Sequence, residues 1–244
     1  MKTKGYILYE GASVLDGAPI VVIATLETSN VKTGNMIQTW ILRADQSPIE
    51  ASNSGDDVSV CGSCVHRHHL GGVCYVNIGQ APLSVWKAYK RGVYPIATMA
   101  DLERIQGRSL RIGAYGDPSA VPFRIWDGLV RAVKPSTQTG YTHQIAHKKF
   151  DARILKYCMA SADTVRQALK IHAMGARTFR VKTQEADFLP NEIECLSDSK
   201  GIQCIDCGLC DGASDKVNIA ITVHGSRSNR YESKYQNANI IARV

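Results

Sequence analysis

Apolar residues fall in short runs along the chain, set apart by glycine, aspartate or proline. Runs with a β-branched or aromatic centre cover residues 6–9, 19–26, 37–42, 110–115, 139–143, 157–162, 178–182, 192–196 and 217–223. This pattern predicts strands buried on both faces. Between them, 81–89 and 122–133 carry apolar residues at helical spacing, and 163–174 does so most clearly. There Val165, Leu169 and His172 with Ala173 recur at three- and four-residue steps. Asp163 is placed to cap this helix and Gly175 to end it. Strands alternating with helices predict an α/β fold with a parallel sheet. The strands of this kind between Ile37 and Val223 predict a full or partial (β/α) barrel over residues 35–226. Residues 1–34 are expected as N-terminal edge strands or a hairpin packed on that barrel, and 227–244 as a polar C-terminal tail. Neither an internal repeat nor a dividing linker is visible.

A chain of 244 residues fits one large domain and buries enough surface to fold without a metal staple. Its 44% hydrophobic and 21% charged residues are ordinary for a globular protein. No apolar run approaches the roughly 20 residues that span a bilayer. The start, MKTKGYILYEG, has lysines but no apolar stretch behind them, so no signal peptide is expected. The expected compartment is therefore the reducing cytoplasm, where structural disulfides are rare. In that setting eight cysteines change the picture, because they point to metal ligation or thiol chemistry. The net charge of +7 suits a nucleotide or nucleic-acid partner. The basic residues are spread from Lys2 to Arg243, which equally suits plain solubilising charge.

Seven of the cysteines form two groups. Cys61, Cys64 and Cys74 are spaced C-x2-C-x9-C, and Cys195, Cys204, Cys207 and Cys210 are spaced C-x8-C-x2-C-x2-C. Two residues between ligands let a tight turn aim both sulfurs at one centre while its amides stabilise thiolate charge. The dense C-x2-C-x2-C run resembles ferredoxin-type ligation and predicts iron–sulfur, of the 4Fe-4S kind, in one or two clusters. Structural zinc is the alternative. His66, His68 and His69 lie inside the first group and either complete a Cys3His zinc site or are solvated loop residues. If they do not ligate, three thiolates on a four-iron cluster leave one iron open. Cys158 reads as a core cysteine.

In α/β barrels chemistry gathers at the C-terminal ends of strands. Four predicted strands end in reactive residues, so Asp117, His143, Asp163 and His224 are candidates for one catalytic pocket. Each also has a plain structural reading as a cap or a core residue. Arg111, Lys87, Arg91 and Tyr141 are candidates to bind an anionic substrate such as a nucleotide.

The order of strand, three-cysteine loop, helix, and a strand ending in G-A-Y-G-D-P resembles radical S-adenosylmethionine enzymes. The loop spacing differs from that family's usual C-x3-C-x2-C. The resemblance implies that Gly116, Asp117 and Pro118 lie near the amino group of the cofactor's methionine moiety, and that the second cysteine group is an auxiliary cluster. Over roughly residues 40–225, the motifs C-x2-C…C-Y, G-D-P, Y-T-H, S-A-D, C-x2-C-G-x-C and H-G also resemble a group of bacteriophage proteins without an assigned activity. That likeness implies a phage-encoded protein working in a bacterial cytoplasm. Three functions follow as expectations. The first is an iron–sulfur enzyme in which His143 has the intrinsic pKa for acid–base work. The second is a zinc-stapled hydrolase or nuclease whose Asp/His strand ends chelate a divalent metal. The third is a zinc-containing nucleic-acid-binding or host-interaction protein without activity.

Overall fold

The computed structural model describes residues 3–212, 215–236 and 238. Among them the strands are β1 (Gly5–Ala12), β2 (Pro19–Thr25), β3 (Ile37–Arg43), β4 (Leu110–Tyr115), β5 (Gln138–Thr142), β6 (Met159–Ala162), β7 (Thr178–Lys182), β8 (Glu192–Glu194) and β9 (Asn218–Thr222). They form one sheet in the order β1-β2-β3-β4-β5-β6-β7-β9-β8. The pairs β1/β2 and β2/β3 are antiparallel. From β3 onward every neighbouring pair is parallel. The result is a mixed α/β fold with a mostly parallel sheet.

The sheet does not close. A closed barrel would need β3 to offer its outer edge to the far end of the sheet, but β2 occupies that edge along Ile20–Thr25. The N-terminal strands thus extend the main sheet instead of forming a separate layer. Loop contacts span the space between β3 and the β9/β8 end. The Cys204 and Ile205 amides donate to the Lys32 and Thr33 carbonyls at 2.9 and 3.2 Å. The Gln203 side chain donates to the Val31 carbonyl at 2.8 Å.

The helices after β3 are α1 (Pro48–Ser54), α2 (Val58–Cys61), α3 (Ala81–Lys90) and α4 (Met99–Glu103). Next come α5 (Phe123–Val133) after β4 and α6 (Val165–Ala173) after β6. Two single turns, α7 (Leu196–Ser199) and α8 (Cys204–Cys207), lie between β8 and β9, and α9 (Ser228–Tyr235) follows β9. Thr164, not Asp163, caps α6, its hydroxyl accepting the Gln167 amide. The Asp163 carboxylate is thereby left for the site described below. Residues 228–235, expected within a polar tail, form a helix instead, because Tyr231 and Tyr235 are buried. Residues 237 and 239–244 of that expected tail lie outside the described residues.

Facing residues on parallel neighbours share one side of the sheet. One side carries Ala160 and Ala162, against which α6 packs Val165, Ala168 and Ile171. The other carries Tyr141, paired with Met159, and Phe179, paired with Ser161 and with Ile219, across β5, β6, β7 and β9. Cys195, Leu209 and Cys210 pack onto that second side. On the α6 side, Arg180 of β7 and Glu192 of β8 form an ion pair at 2.6 Å, both side chains 0% exposed. No helix of the described residues is long and apolar enough to cross a membrane.

Candidate metal centre

The first cysteine group is built on the C-terminal ends of the parallel strands. Cys61 ends α2, and Gly62 turns the chain with φ of 57°. Just beyond β4, the Asp117 amide donates to the Val60 carbonyl at 2.6 Å. Just beyond β5, Gln144 donates to the Cys61 carbonyl at 2.9 Å and accepts the Ser63 amide at 2.9 Å. Arg67 holds the loop from the other side through Asp57, at 2.5 Å. Cys61, Cys64 and Cys74 then line one pocket of about 30 Å³, with Asp57, Arg67, His68, Ile78 and Tyr115.

The amide of His66 bonds the Cys64 sulfur and that of Val76 bonds the Cys74 sulfur. Burial pushes the Cys64 thiol up to about 12, and burial with the neighbouring thiols pushes Cys61 well up. As free thiols these groups are held protonated, so a cation that binds them displaces protons. The chain after β9 covers the loop, with Arg227 donating to the Cys74 carbonyl at 3.1 Å and contacting His68. A methyl group added at Gly72 would run into the His66 backbone, which cannot swing aside. Gly72→Ala is therefore expected to spread this loop and cost about 1–3 kcal/mol. The check is a thermal melt together with the metal content of the purified variant.

Beside Cys64, three further side chains converge. His66 is buried, not solvated, and its Nε2 lies 2.7 Å from Asp163 Oδ1. His143 completes the group, its ring centroid 5.6 Å from that of His66. One ligand atom from each of the three lies within 4.8 Å of the others. Burial lowers the His143 pKa and favours the neutral imidazole. For Asp163, burial acts upward, but the His66 bond and the adjacent imidazoles outweigh it, so its carboxyl is lowered. Asp117 stands behind them. Its carboxylate accepts the Ser119 amide, the Thr142 hydroxyl and the His143 amide, at 3.0, 2.8 and 2.7 Å. Those bonds make Asp117 the anchor that orients His143. Gly116 packs on Ile41, and Pro118 is buried beside Gly113.

The second cysteine group packs on the Tyr141–Ile219 side of the sheet: Cys195 directly follows the C-terminal end of β8, and the loop carrying the other three is tied to the N-terminal ends of β5 and β7. Thr137 donates to the Ile205 carbonyl and Gln138 to the Asp211 carbonyl, both at the start of β5. Arg177, just before β7, donates to the Leu209 and Gly212 carbonyls. Cys195, Cys204, Cys207 and Cys210 are mutual electrostatic neighbours. The Cys195 sulfur accepts the Ser197 and Asp198 amides, and the Tyr141 hydroxyl bonds Cys210. Arg111 lies near Cys204 and donates to the Tyr75 hydroxyl at 2.9 Å, bringing β4 between the two groups.

The four strand-end candidates do not meet in one pocket. His224 contacts Lys32 Nζ at 3.0 Å and lies 3.9 Å from Asp198, beside the second cysteine group. Lys87 is exposed on α3, and Arg91 is exposed at its end. His66 was legible only as one of three loop histidines, since nothing local sets it apart from His68 and His69. Cys158 is buried in the core against Gly140. No family model, curated protein or solved structure matches the chain.

Proposed function

We propose that this chain is an iron–sulfur enzyme of radical S-adenosylmethionine type, with its working cluster on Cys61, Cys64 and Cys74 and a second, auxiliary or structural cluster on Cys195, Cys204, Cys207 and Cys210. The observation that carries this reading is the distribution of the thiols. Three share a pocket at the C-terminal ends of the parallel strands, where α/β barrels place their chemistry, and four gather separately against one side of the sheet.

The dense C-x2-C-x2-C spacing of the second group supports clusters over single ions. The amide donors to Cys64, Cys74 and Cys195 supply the bonds that stabilise anionic sulfur.

On this reading a bound cluster supplies an electron and, at the iron without a cysteine, a site for S-adenosylmethionine. The chain's own residues do the rest. Asp117 fixes the turn after β4 and orients His143. His66, His143 and Asp163 wall the substrate side. Arg111 and Tyr141 line the space toward the second group, where a positive side chain and a phenol suit an anionic substrate such as a nucleotide. The partial (β/α) barrel belongs to the same proposal: the parallel run from β3 to β9 would curve around this chamber, and the 31–33 and 203–205 loops would span its gap.

The test is anaerobic purification with iron, sulfide and zinc measured on one sample, followed by reduction in the presence of S-adenosylmethionine. Several irons with matching sulfide, and cleavage of S-adenosylmethionine, are expected. Stoichiometric zinc without iron, even after reconstitution, would end the cluster reading. Iron without binding or cleavage of S-adenosylmethionine would end the radical one.

A further inference from the structure

The thiols account for neither the convergence nor the chemistry of His66, His143 and Asp163. These residues come from three separate segments: the cysteine loop, the end of β5 and the end of β6. Their ligand atoms nevertheless fall within 4.8 Å of one another. The His66 side chain is only 9% exposed and that of Asp163 5%. The Nδ1 atom of His66 is buried without a hydrogen-bond partner, an arrangement that ordinarily destabilises a fold. A purely structural histidine–carboxylate pair would be expected to satisfy that nitrogen.

We infer that His66, His143 and Asp163 form a mononuclear site for a divalent first-row metal ion, separate from both cysteine groups. Two imidazoles and one carboxylate are a donor set that takes such ions, and three protein ligands leave positions open for substrate. The surroundings are those of a supported site. Asp117 Oδ2 accepts the His143 amide at 2.7 Å, and the Gln167 side chain accepts the Asp163 amide at 2.9 Å. Both ligand-bearing strand ends are therefore held in place. The rings of Tyr231 and Tyr235 pack 6.0 and 5.8 Å from the His66 ring, so α9 covers the group. Cys64, two residues before His66, belongs to the first cysteine pocket. The ion would thus sit next to that pocket and hold an oxygen-donor group of the substrate, such as a carboxylate or phosphate, against it. The inference goes beyond the cluster reading and does not depend on it.

Manganese separates the two, because Mn²⁺ favours nitrogen and oxygen ligands and binds thiolates poorly. The anaerobically purified full chain, freed of labile ions by chelation and assayed for iron and sulfide, is titrated with Mn²⁺. The loss of the free-ion electron paramagnetic resonance signal reports binding. One equivalent is expected to bind, and Asp163→Asn, His66→Gln and His143→Gln are each expected to weaken that binding at least tenfold. Iron and sulfide should stay unchanged, with melting transitions retained as the sign of folding. His69→Gln, which changes an exposed histidine of the same loop, should leave Mn²⁺ uptake as it was. Failure of the wild-type chain to bind Mn²⁺, or equal uptake by folded variants, overturns the site. A chain without iron that still binds Mn²⁺ through these residues retains this site and loses the cluster reading. Iron without the Mn²⁺ site gives the reverse.

Discussion

Replacing Cys64 with alanine is expected to remove about half of the iron and sulfide from the anaerobically purified protein, leaving a chain that still folds. On the proposed reading of two four-iron clusters of equal size, the number follows because each would need its own thiolates. Cys64 shares its pocket with Cys61 and Cys74, whereas the four remaining ligand candidates gather separately against one side of the sheet. Loss of one group should therefore spare the other. Cys207→Ala is the complementary variant, expected to keep the first cluster and lose the second. A chain of this size does not draw its fold from metal alone, so Cys64→Ala should melt cooperatively. Retention of all the iron in both variants would mean that the cysteines do not divide into two centres. Loss of all the iron in either would mean that they form one.

The second large effect is on stability. Glu192→Gln is expected to lower the unfolding free energy by about 3–5 kcal/mol, because it leaves the Arg180 charge buried without its carboxylate. Both side chains are fully buried, and Arg180 Nε donates to the second carboxylate oxygen at 2.8 Å. Glu192 also accepts the Leu189 amide at 2.8 Å, so the turn into β8 loosens with it. For a chain of this length each kcal/mol moves the melting midpoint by about 2–4 °C, which predicts a fall on the order of 10 °C. The double variant Arg180→Met with Glu192→Leu removes both charges and should recover most of the loss. Denaturant titration of the three proteins checks this, and a Glu192→Gln change below about 1 kcal/mol would show that the pair behaves like a surface one.

Much of the fold was legible because its signals are local. The β2 run Ile20–Ala24 is 0% exposed throughout, and a continuous branched run of that kind has few other uses. The helix over 163–174 showed its period, although its cap proved to be Thr164. The Ser47-Pro48-Ile49-Glu50 start of α1 is a capping box written in four residues, and a reading attentive to caps finds it. The grouping of the cysteines was equally plain, since spacing along a turn is a local property.

Other features depend on contacts far apart in sequence. That β9 enters between β7 and β8, and that β2 takes the edge needed for closure, depends on strand order, which periodicity does not encode. His224 ends its strand much as His143 does, yet the open sheet carries it to Lys32, 192 residues away. The sequence by itself determined the alternation of strands and helices and the spacing of the thiols, because neighbouring residues set both. Only the tertiary structure decided where on the sheet each cysteine group sits, and that His66 joins His143 and Asp163. Burial and the long-range hydrogen bonds of Asp117, Gln144 and Arg177 fix those positions, and they exist only once distant segments have packed together.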